Sequence, residues 1–524
     1  MRVVTVAQMK SIEAEANSRG VSYAEMMARA GNGIAEIAFK EFSSISNKCA
    51  LGLIGSGNNG GDTLIALEHM ALKGWRVMAY LVSQRDADDP LIDQILDYGA
   101  RIQSAWEDPE HQALEDMLLK AGLVLDGVLG TGFHLPLRAD LGAILGYVKD
   151  HRETIPVVSV DCPSGIDCDT GEVSPEVVPA KITVCLEAVK TGLLTLPAFL
   201  SVGEIHVVNL GLPEDLESTK SISTTMVTPE RVKSSLPDRP RFAHKGTFGS
   251  TMILAGSQAY TGAALLAGEA AYRVGTGLVQ MAVPEPLHPA LAGQLPEAVW
   301  VSLPHDKGAI CKEAFEVVSQ HLEHTTAILV GPGISMNEKT GEFIRAFFDL
   351  DEGLCSIRKE GDCLPLIIDA DGLRWVASIP GWHNRLPVQS ILTPHPGEMS
   401  ILTGRPIREI QANRVETARH FAQAWNQVVV LKGALTVIAN PSGQVEIIPV
   451  ACAALAKAGS GDVLAGMIAG LRAQGAAAMD AAVCGAWLHA QAGQEAMRVA
   501  GQAVTVLARD ILAALPRVIA ALGG

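Results

Sequence analysis

Short apolar, β-branched runs that end in glycine or aspartate and give way to helical patterns recur along this chain, and that alternation restricts its fold more than any other feature. In the first part the runs are ALGLIG from Ala50, VMAYLV from Val77, LVLDG from Leu123, VVSVD from Val157 and ITVCLE from Ile182, with helical stretches such as TLIALEHMALKG between several of them. Strands separated in this way form βαβ units around a parallel sheet, so the first part reads as Rossmann-like, doubly wound α/β. The pattern weakens from Leu212 to Phe242, through PEDLESTKSISTT and LPDRPRF, and resumes with TMILAG, LVQMAV, AILVG, LIID, VVVLKG and a late helix from Asp462. Two α/β domains are expected, over 1–212 and 227–524, with a linker at 213–226. A length of 524 residues agrees with more than one core.

The formal charge of −16, from 41 Lys and Arg against 57 Asp and Glu, comes without a cationic cluster, so nucleic acid is not an expected partner. Nor is a membrane. The longest charge-free run, Gly246 to Gly268, is interrupted by Gly249, Ser250, Gly256, Ser257, Gln258 and Gly262, and reads as buried strand plus loop. Glu13 and Glu15 appear before any apolar signal region forms, so no secretory signal is expected and the location reads as cytoplasmic. Nine cysteines without a C-x-x-C suggest neither a disulfide framework nor a zinc site; Cys162, Cys168 and Cys185 read as small core residues.

After ALGLIG comes Gly55-Ser56-Gly57-Asn58-Asn59-Gly60-Gly61-Asp62 and then a helix, which satisfies G-x-G-x-x-G in a strand-to-helix context. The second run ends in Gln84 and Arg85 rather than an acidic residue, which argues against ordinary ribose recognition, and the missing lysine excludes a Walker A loop. What survives is a glycine-rich turn able to meet a phosphate, or one needed only for helix–sheet packing. Asp126, Asp161 and Ser164 lie at further strand ends, where a parallel sheet faces its ligand crevice. Each alone reads as a turn or capping residue; together Asn59, Asp126 and Ser164 can give oxygen ligands to a hard cation, with Asp161 left as acid or base.

In the second part, Lys457-Ala458-Gly459-Ser460-Gly461-Asp462 runs into the helix VLAGMIAGL. Small residues let backbone N–H groups approach an anion there, and the aspartate can take a proton from a hydroxyl, as phosphoryl transfer requires; a capping aspartate behind a flexible turn is the plainer reading. HKGTFG, AGSQAYTGAALLAG, GPG, DADGL, TPHPGE and LKGALTVI place further glycines and polar residues at strand ends. His244 and His395 taken singly read as structural histidines.

Taken in order, MMARAGNGIA, NNGGD, DGVLGTG and DCPSGID resemble the YjeF N-terminal family of NAD(P)H-hydrate epimerases. The later segments, over roughly 227–521, resemble the YjeF C-terminal, ribokinase-like family of NAD(P)H-hydrate dehydratases. The first resemblance implies that Asn58, Asn59, Gly60, Gly61 and Asp62, with Gly130, Thr131, Gly132, Phe133, His134, Leu135 and Pro136, bind the hydrated nucleotide, that Asp161 contacts it, and that Asn59, Asp126 and Ser164 hold potassium. Thr63 departs from the glycine many relatives carry there. The second implies that Lys432, Gly433, Ala434, Leu435, Thr436 and Gly461 bind adenine nucleotide, while Ala264, Gly333, His395 and Asp462 line the hydrate site, Asp462 as base, with Mg²⁺ bridging phosphates. The implied activity is bifunctional: exchange of R- and S-NADHX or NADPHX, then dehydration of the S form with ADP, giving AMP and phosphate. A homo-oligomer is expected. The rival is a ribokinase-like small-molecule kinase whose first domain is a non-catalytic ligand sensor.

Overall fold

Cys49–Ile54, the first of the apolar runs, is an interior strand of a seven-stranded sheet. In the computed structural model, which describes residues 1–86, 88–152, 154–356 and 363–523, this sheet comprises β1 (Cys49–Ile54), β2 (Arg76–Leu81), β3 (Arg101–Ser104), β4 (Leu123–Gly127), β5 (Val157–Val160), β6 (Ile182–Leu186) and β7 (Glu204–Val208). All pairings are parallel and the spatial order is β3-β2-β1-β4-β5-β6-β7. The order reverses at β1 and β4, which is where a doubly wound sheet opens its ligand crevice. Alternate residues of β1 go to opposite cores. Ala50 and Ile54 pack with Leu67 and Met70 on one face, Leu51 and Leu53 with Leu114 and Leu145 on the other. Burial on both faces explains why these runs are apolar throughout.

Helix α1 (Asn58–Leu72) follows β1 directly. The turn between them depends on glycine: a Cβ on Gly55 would lie 2.0 Å from the Val128 carbonyl oxygen, and one on Gly60 would lie 2.1 Å from the Gly55 carbonyl oxygen. Arg85 clamps the same turn, donating from Nη1 to the Gly55 carbonyl at 2.7 Å and the Gly57 carbonyl at 3.2 Å, with Nε on Asp89 at 2.6 Å. The side chain that replaces the usual acidic residue is thus a brace for the loop. A separate two-stranded pairing joins Val3–Val4 to Val189–Lys190.

The second sheet has ten strands: β8 (Thr224–Met226), β9 (Ser250–Leu254), β10 (Leu278–Pro284), β11 (Val299–Leu303), β12 (Ala327–Val330), β13 (Leu366–Ile368), β14 (Ile391–Leu392), β15 (Val428–Leu431), β16 (Val437–Ala439) and β17 (Val445–Ile447). Their order is β8-β17-β16-β15-β14-β13-β12-β9-β10-β11. From β15 to β11 the pairs are parallel, while β16 and β17 turn back antiparallel. The order reverses between β9 and β12, a second switch point. Helices α2 (Thr261–Arg273), α3 (Ser460–Ala473) and α4 (Ala478–Ala500) share one core with this sheet. Gly466 lets α3 lie close to α2, since a Cβ there would sit 2.2 Å from the Ala267 carbonyl oxygen.

The chain divides into a unit of Met1–Thr224 and a second from Thr225 onward. The stretch expected as linker contains a 3-10 turn, Glu217–Thr219, whose Glu217 and Ser218 amides bond Glu15 at 2.9 Å, and the whole of β8. The charge-free run holds β9, a loop and the beginning of α2, so it carries a helix that periodicity did not separate from the loop. The sequence suggests no disulfide framework; one pair, Cys355 and Cys363, eight residues apart, is bonded. Where two sulfurs meet is set by the path of the chain between them, which motif spacing does not report. Among the described residues no helix is long and apolar enough to cross a membrane.

Candidate active sites

At the carboxyl ends of β1, β4 and β5 the chain collects Asn59, Asp126, Asp161 and Ser164, all buried. Asp126 is fully buried; its Oδ1 accepts from Ser164 Oγ at 2.5 Å and its Oδ2 from the Ser164 N–H at 2.8 Å. Asn59 donates from Nδ2 to the Leu129 carbonyl at 3.0 Å and the Val160 carbonyl at 2.7 Å, drawing the loop after β4 and the end of β5 together. Thr63 ties back to the Asn59 carbonyl at 2.7 Å, so the residue that departs from the resembled pattern is a helix-internal brace. One carboxylate among amide, hydroxyl and carbonyl oxygens is a donor set of low charge, which fits a large monovalent cation better than a divalent one.

Asp161 follows β5 in the left-handed region, with φ of 64°. Its Oδ1 accepts from the Leu186 N–H at 3.0 Å and pairs with the Lys190 ammonium, which is buried and also donates to the Leu186 carbonyl at 3.2 Å. Burial alone would lower the lysine's pKa; the Asp161 charge outweighs it and holds Lys190 above the ordinary lysine range. Asp62 is raised well above the ordinary carboxylate range by burial, with the Asp161 and Glu13 charges adding to the effect. Asn58 and Gly132 are exposed, as are His134 and Pro136, while Gly60 and Gly61 are buried and Gly130, Thr131, Phe133 and Leu135 half-buried. His134 meets Asp167 at 2.8 Å, which ties the loop of Gly130 to Pro136 to the segment containing Ser164.

In the second unit Asp369, Thr393 and Lys432 follow β13, β14 and β15, and Asp462 lies in the first turn of α3. Lys432 Nζ donates to Asp369 Oδ1 at 2.6 Å and is 3.7 Å from Glu398; Thr393 Oγ donates to the same Asp369 oxygen at 2.7 Å. A methyl group on Gly461 would lie 3.5 Å from Lys432 Nζ and 3.9 Å from Asp369 Oδ2, so the glycine turn and the ion pair converge. Gly459 enters α3 with φ of 89°, and no side chain caps that helix, which leaves first-turn N–H groups facing this cluster. Burial, then the Asp369 charge, pushes Asp462 up to about 7. A carboxyl poised there can receive a proton near neutral pH.

The remaining expected residues lie around this centre or beside it. His395 caps the helix Pro396–Thr403, its Nδ1 accepting from the Gly397 N–H at 2.9 Å, while its own N–H donates to Glu398 at 2.8 Å. Ala264 is fully buried, with its Cβ 3.3 Å from where a Gly256 Cβ would stand, so it offers packing rather than surface. Gly333, with φ of 63°, is half-buried against Tyr260 and Ala263. Gly433 and Ala434 are exposed, Thr436 half-buried and Leu435 buried. A hollow of about 600 Å³ lined by Asn47, Gly122, Arg152, Pro156 and Lys181 lies at the amino ends of the first sheet's strands, away from these groups.

The family model for NAD(P)H-hydrate dehydratases matches residues 251–517, and that for the YjeF-related protein N-terminus matches 23–192. The bifunctional NAD(P)H-hydrate repair enzyme Nnr of Moorella thermoacetica is 34% identical over 99% of this chain and 97% of its own. This chain belongs to the bifunctional NAD(P)H-hydrate repair enzyme family. The Nnr of Thermofilum pendens is 32% identical, covering 96% of this chain and 93% of its own. The ADP/ATP-dependent NAD(P)H-hydrate dehydratase of Bacillus subtilis, co-crystallised with ATP and Mg²⁺, is 35% identical, covering 57% of this chain and 98% of its own with a TM-score of 0.48. Matches across both halves do not favour the rival of a kinase fused to a ligand sensor.

Lys190, Asp369 and Glu398 join these clusters without being singled out by the sequence. Asp369 and Glu398 stood inside noted motifs, DADGL and TPHPGE, but nothing in the sequence pairs them with Lys432. Lys190 stood in no motif; a lone lysine closing the apolar stretch ITVCLEAVK was its only signal.

Proposed function

We propose that the first unit exchanges the R and S forms of NADHX and NADPHX and that the second dehydrates the S form with ADP, yielding NAD(P)H, AMP and phosphate. Water added across the ring double bond beside nitrogen leaves a carbon bearing both the nitrogen and a hydroxyl. Epimer exchange there needs one bond to open and reclose. The hydroxyl proton passes to Asp161, its electron pair makes C=O as the C–N bond yields its pair to nitrogen, and closure on the other face returns the proton. Asp161, a buried strand-end carboxylate beside the NNGGD turn, supports this role. Potassium, when bound by Asn59, Asp126 and Ser164, would supply positive charge that braces the two loops.

In the second unit the observation that carries the proposal is Asp462 beside the open amino end of α3, facing the Lys432–Asp369 pair. Asp462 takes the ring hydroxyl's proton as its oxygen bonds the terminal phosphorus and AMP departs. Phosphate then leaves with the C–O electron pair and takes a proton from the adjacent carbon, whose C–H electron pair restores the double bond. Lys432 and the first-turn amides orient the phosphates. Asp369 and Glu398 are carboxylates suited to hold Mg²⁺ together with phosphate oxygens, and the ion would neutralise charge during transfer. The preference for ADP, a homo-oligomeric state and a cytoplasmic location belong to the same proposal.

The test is incubation of mixed R and S hydrate with ADP or with ATP, following near-ultraviolet NADH absorbance and released phosphate. Full recovery of NADH from both forms is expected with ADP. Recovery of the S form alone would overturn the epimerase half, and a stable phosphoester without NADH would overturn the dehydratase half.

A further inference from the structure

Lys190 is 1% exposed, and an ammonium is costly to bury unless something of opposite charge meets it. It meets Asp161. Its polar contacts among the described residues, Asp161 Oδ1 and the Leu186 carbonyl, lie at the carboxyl end of the first sheet, and the Leu186 N–H also falls on Oδ1. Two donors on one oxygen leave Oδ2 as the oxygen for exchange with substrate. The lysine is itself held in place. Val3 and Val4 pair in parallel with Val189 and Lys190, the Val189 N–H bonds the Arg2 carbonyl at 3.0 Å, and Thr191 Oγ bonds the Val4 carbonyl at 3.0 Å.

We propose that Lys190 is the positioning residue of the epimerising unit: its ammonium fixes Asp161 through Oδ1 and leaves Oδ2 to take and return the proton of the hydrate hydroxyl. The inference rests on the reading of this unit as an epimerase. Glu13, Asp62, Cys162, Cys168 and Cys185 are the other titratable groups around the pair. Burial raises Asp62 and Glu13; contact with Cys168, then burial, raises Cys162, and burial carries Cys185 up to about 12. Among the described residues around the pair, Lys190 is the cation that meets Asp161. A buried pair serving the fold alone would leave the pH dependence of exchange unmoved.

The experiment follows R-to-S conversion of NADHX by the full-length chain from pH 5 to 9, comparing the parent with Lys190→Met and Lys190→Arg. The Met variant is expected to lose about 10²-fold in kcat with KM within about threefold. Its acid limb should move to higher pH by about one unit or more, because an unpaired buried carboxylate gains protons more readily. The Arg variant is expected to restore the parental acid limb, with kcat within about tenfold. Parental kcat and acid limb in the Met variant would overturn the inference. If the Met variant does not fold, the Arg variant decides: a retained limb sustains the inference and a limb displaced by a unit or more overturns it. A parent that exchanges no epimers would sink the epimerase reading itself, whereas exchange by parent and Met variant alike sinks only the role of Lys190.

Discussion

In the proposed mechanism two aspartates carry the chemistry, and their surroundings differ in kind. Asp161 is held by a cation on its own unit, whereas Asp462 is crowded by burial and by Asp369, which lift it to about 7. An ionised base with that value is increasingly available as pH rises, so kcat/KM for dehydration should climb between pH 6 and 8 and level off above. A flat profile across that range would exclude Asp462 as the titrating base. Asp462→Asn should lower dehydration by about 10²- to 10⁴-fold while leaving epimer exchange at the parental rate. Near-parental conversion of S-NADHX by this variant would reduce Asp462 to a residue of the first helical turn. Asp161→Ala should do the reverse, stopping exchange while the S form is still dehydrated; retained exchange would make Asp161 structural.

At the scale of elements, α4 supports the amino end of α3. His489 on α4 is buried beside the Ser460 backbone, and its Nε2 has no partner among the described residues. Burial depresses its pKa to about 4 from the ordinary 6.5. The unfolded chain takes up a proton below about pH 6.5 that folded His489 refuses until about pH 4. Stability is therefore complete above the unfolded value and falls as pH drops through this window, by about 3 kcal/mol from this group. Thermal unfolding of His489→Gln should depend less steeply on pH between 6.5 and 4 than that of the parent. Equal slopes would show that the imidazole contributes nothing to acid lability.

At the scale of the whole molecule, the division into units predicts that damage to one site stays there. Asp126→Ala should weaken hydrate binding in the first unit and leave nucleotide binding in the second unchanged, as titration calorimetry with each ligand would show. Replacing potassium by a bulky organic cation should impair exchange and spare dehydration; full exchange without potassium would remove the cation from the proposal. Much of this was legible beforehand, because apolar runs buried on both faces and glycines at strand ends are local signals. ALGLIG had to be an interior strand, and the turn after it had to be glycine-rich to pass under the Val128 carbonyl. The order of strands, the disulfide of Cys355 with Cys363 and the partners of Lys190 and Lys432 were not legible. Asp161 and Lys190 are 29 residues apart, and Lys432 and Asp369 are 63 apart. Sequence by itself determined the recurring apolar strands and the glycine turns that follow them, since those depend on neighbours along the chain. Only the tertiary structure decided which charges meet, because an ion pair between distant strand ends depends on which strands lie side by side.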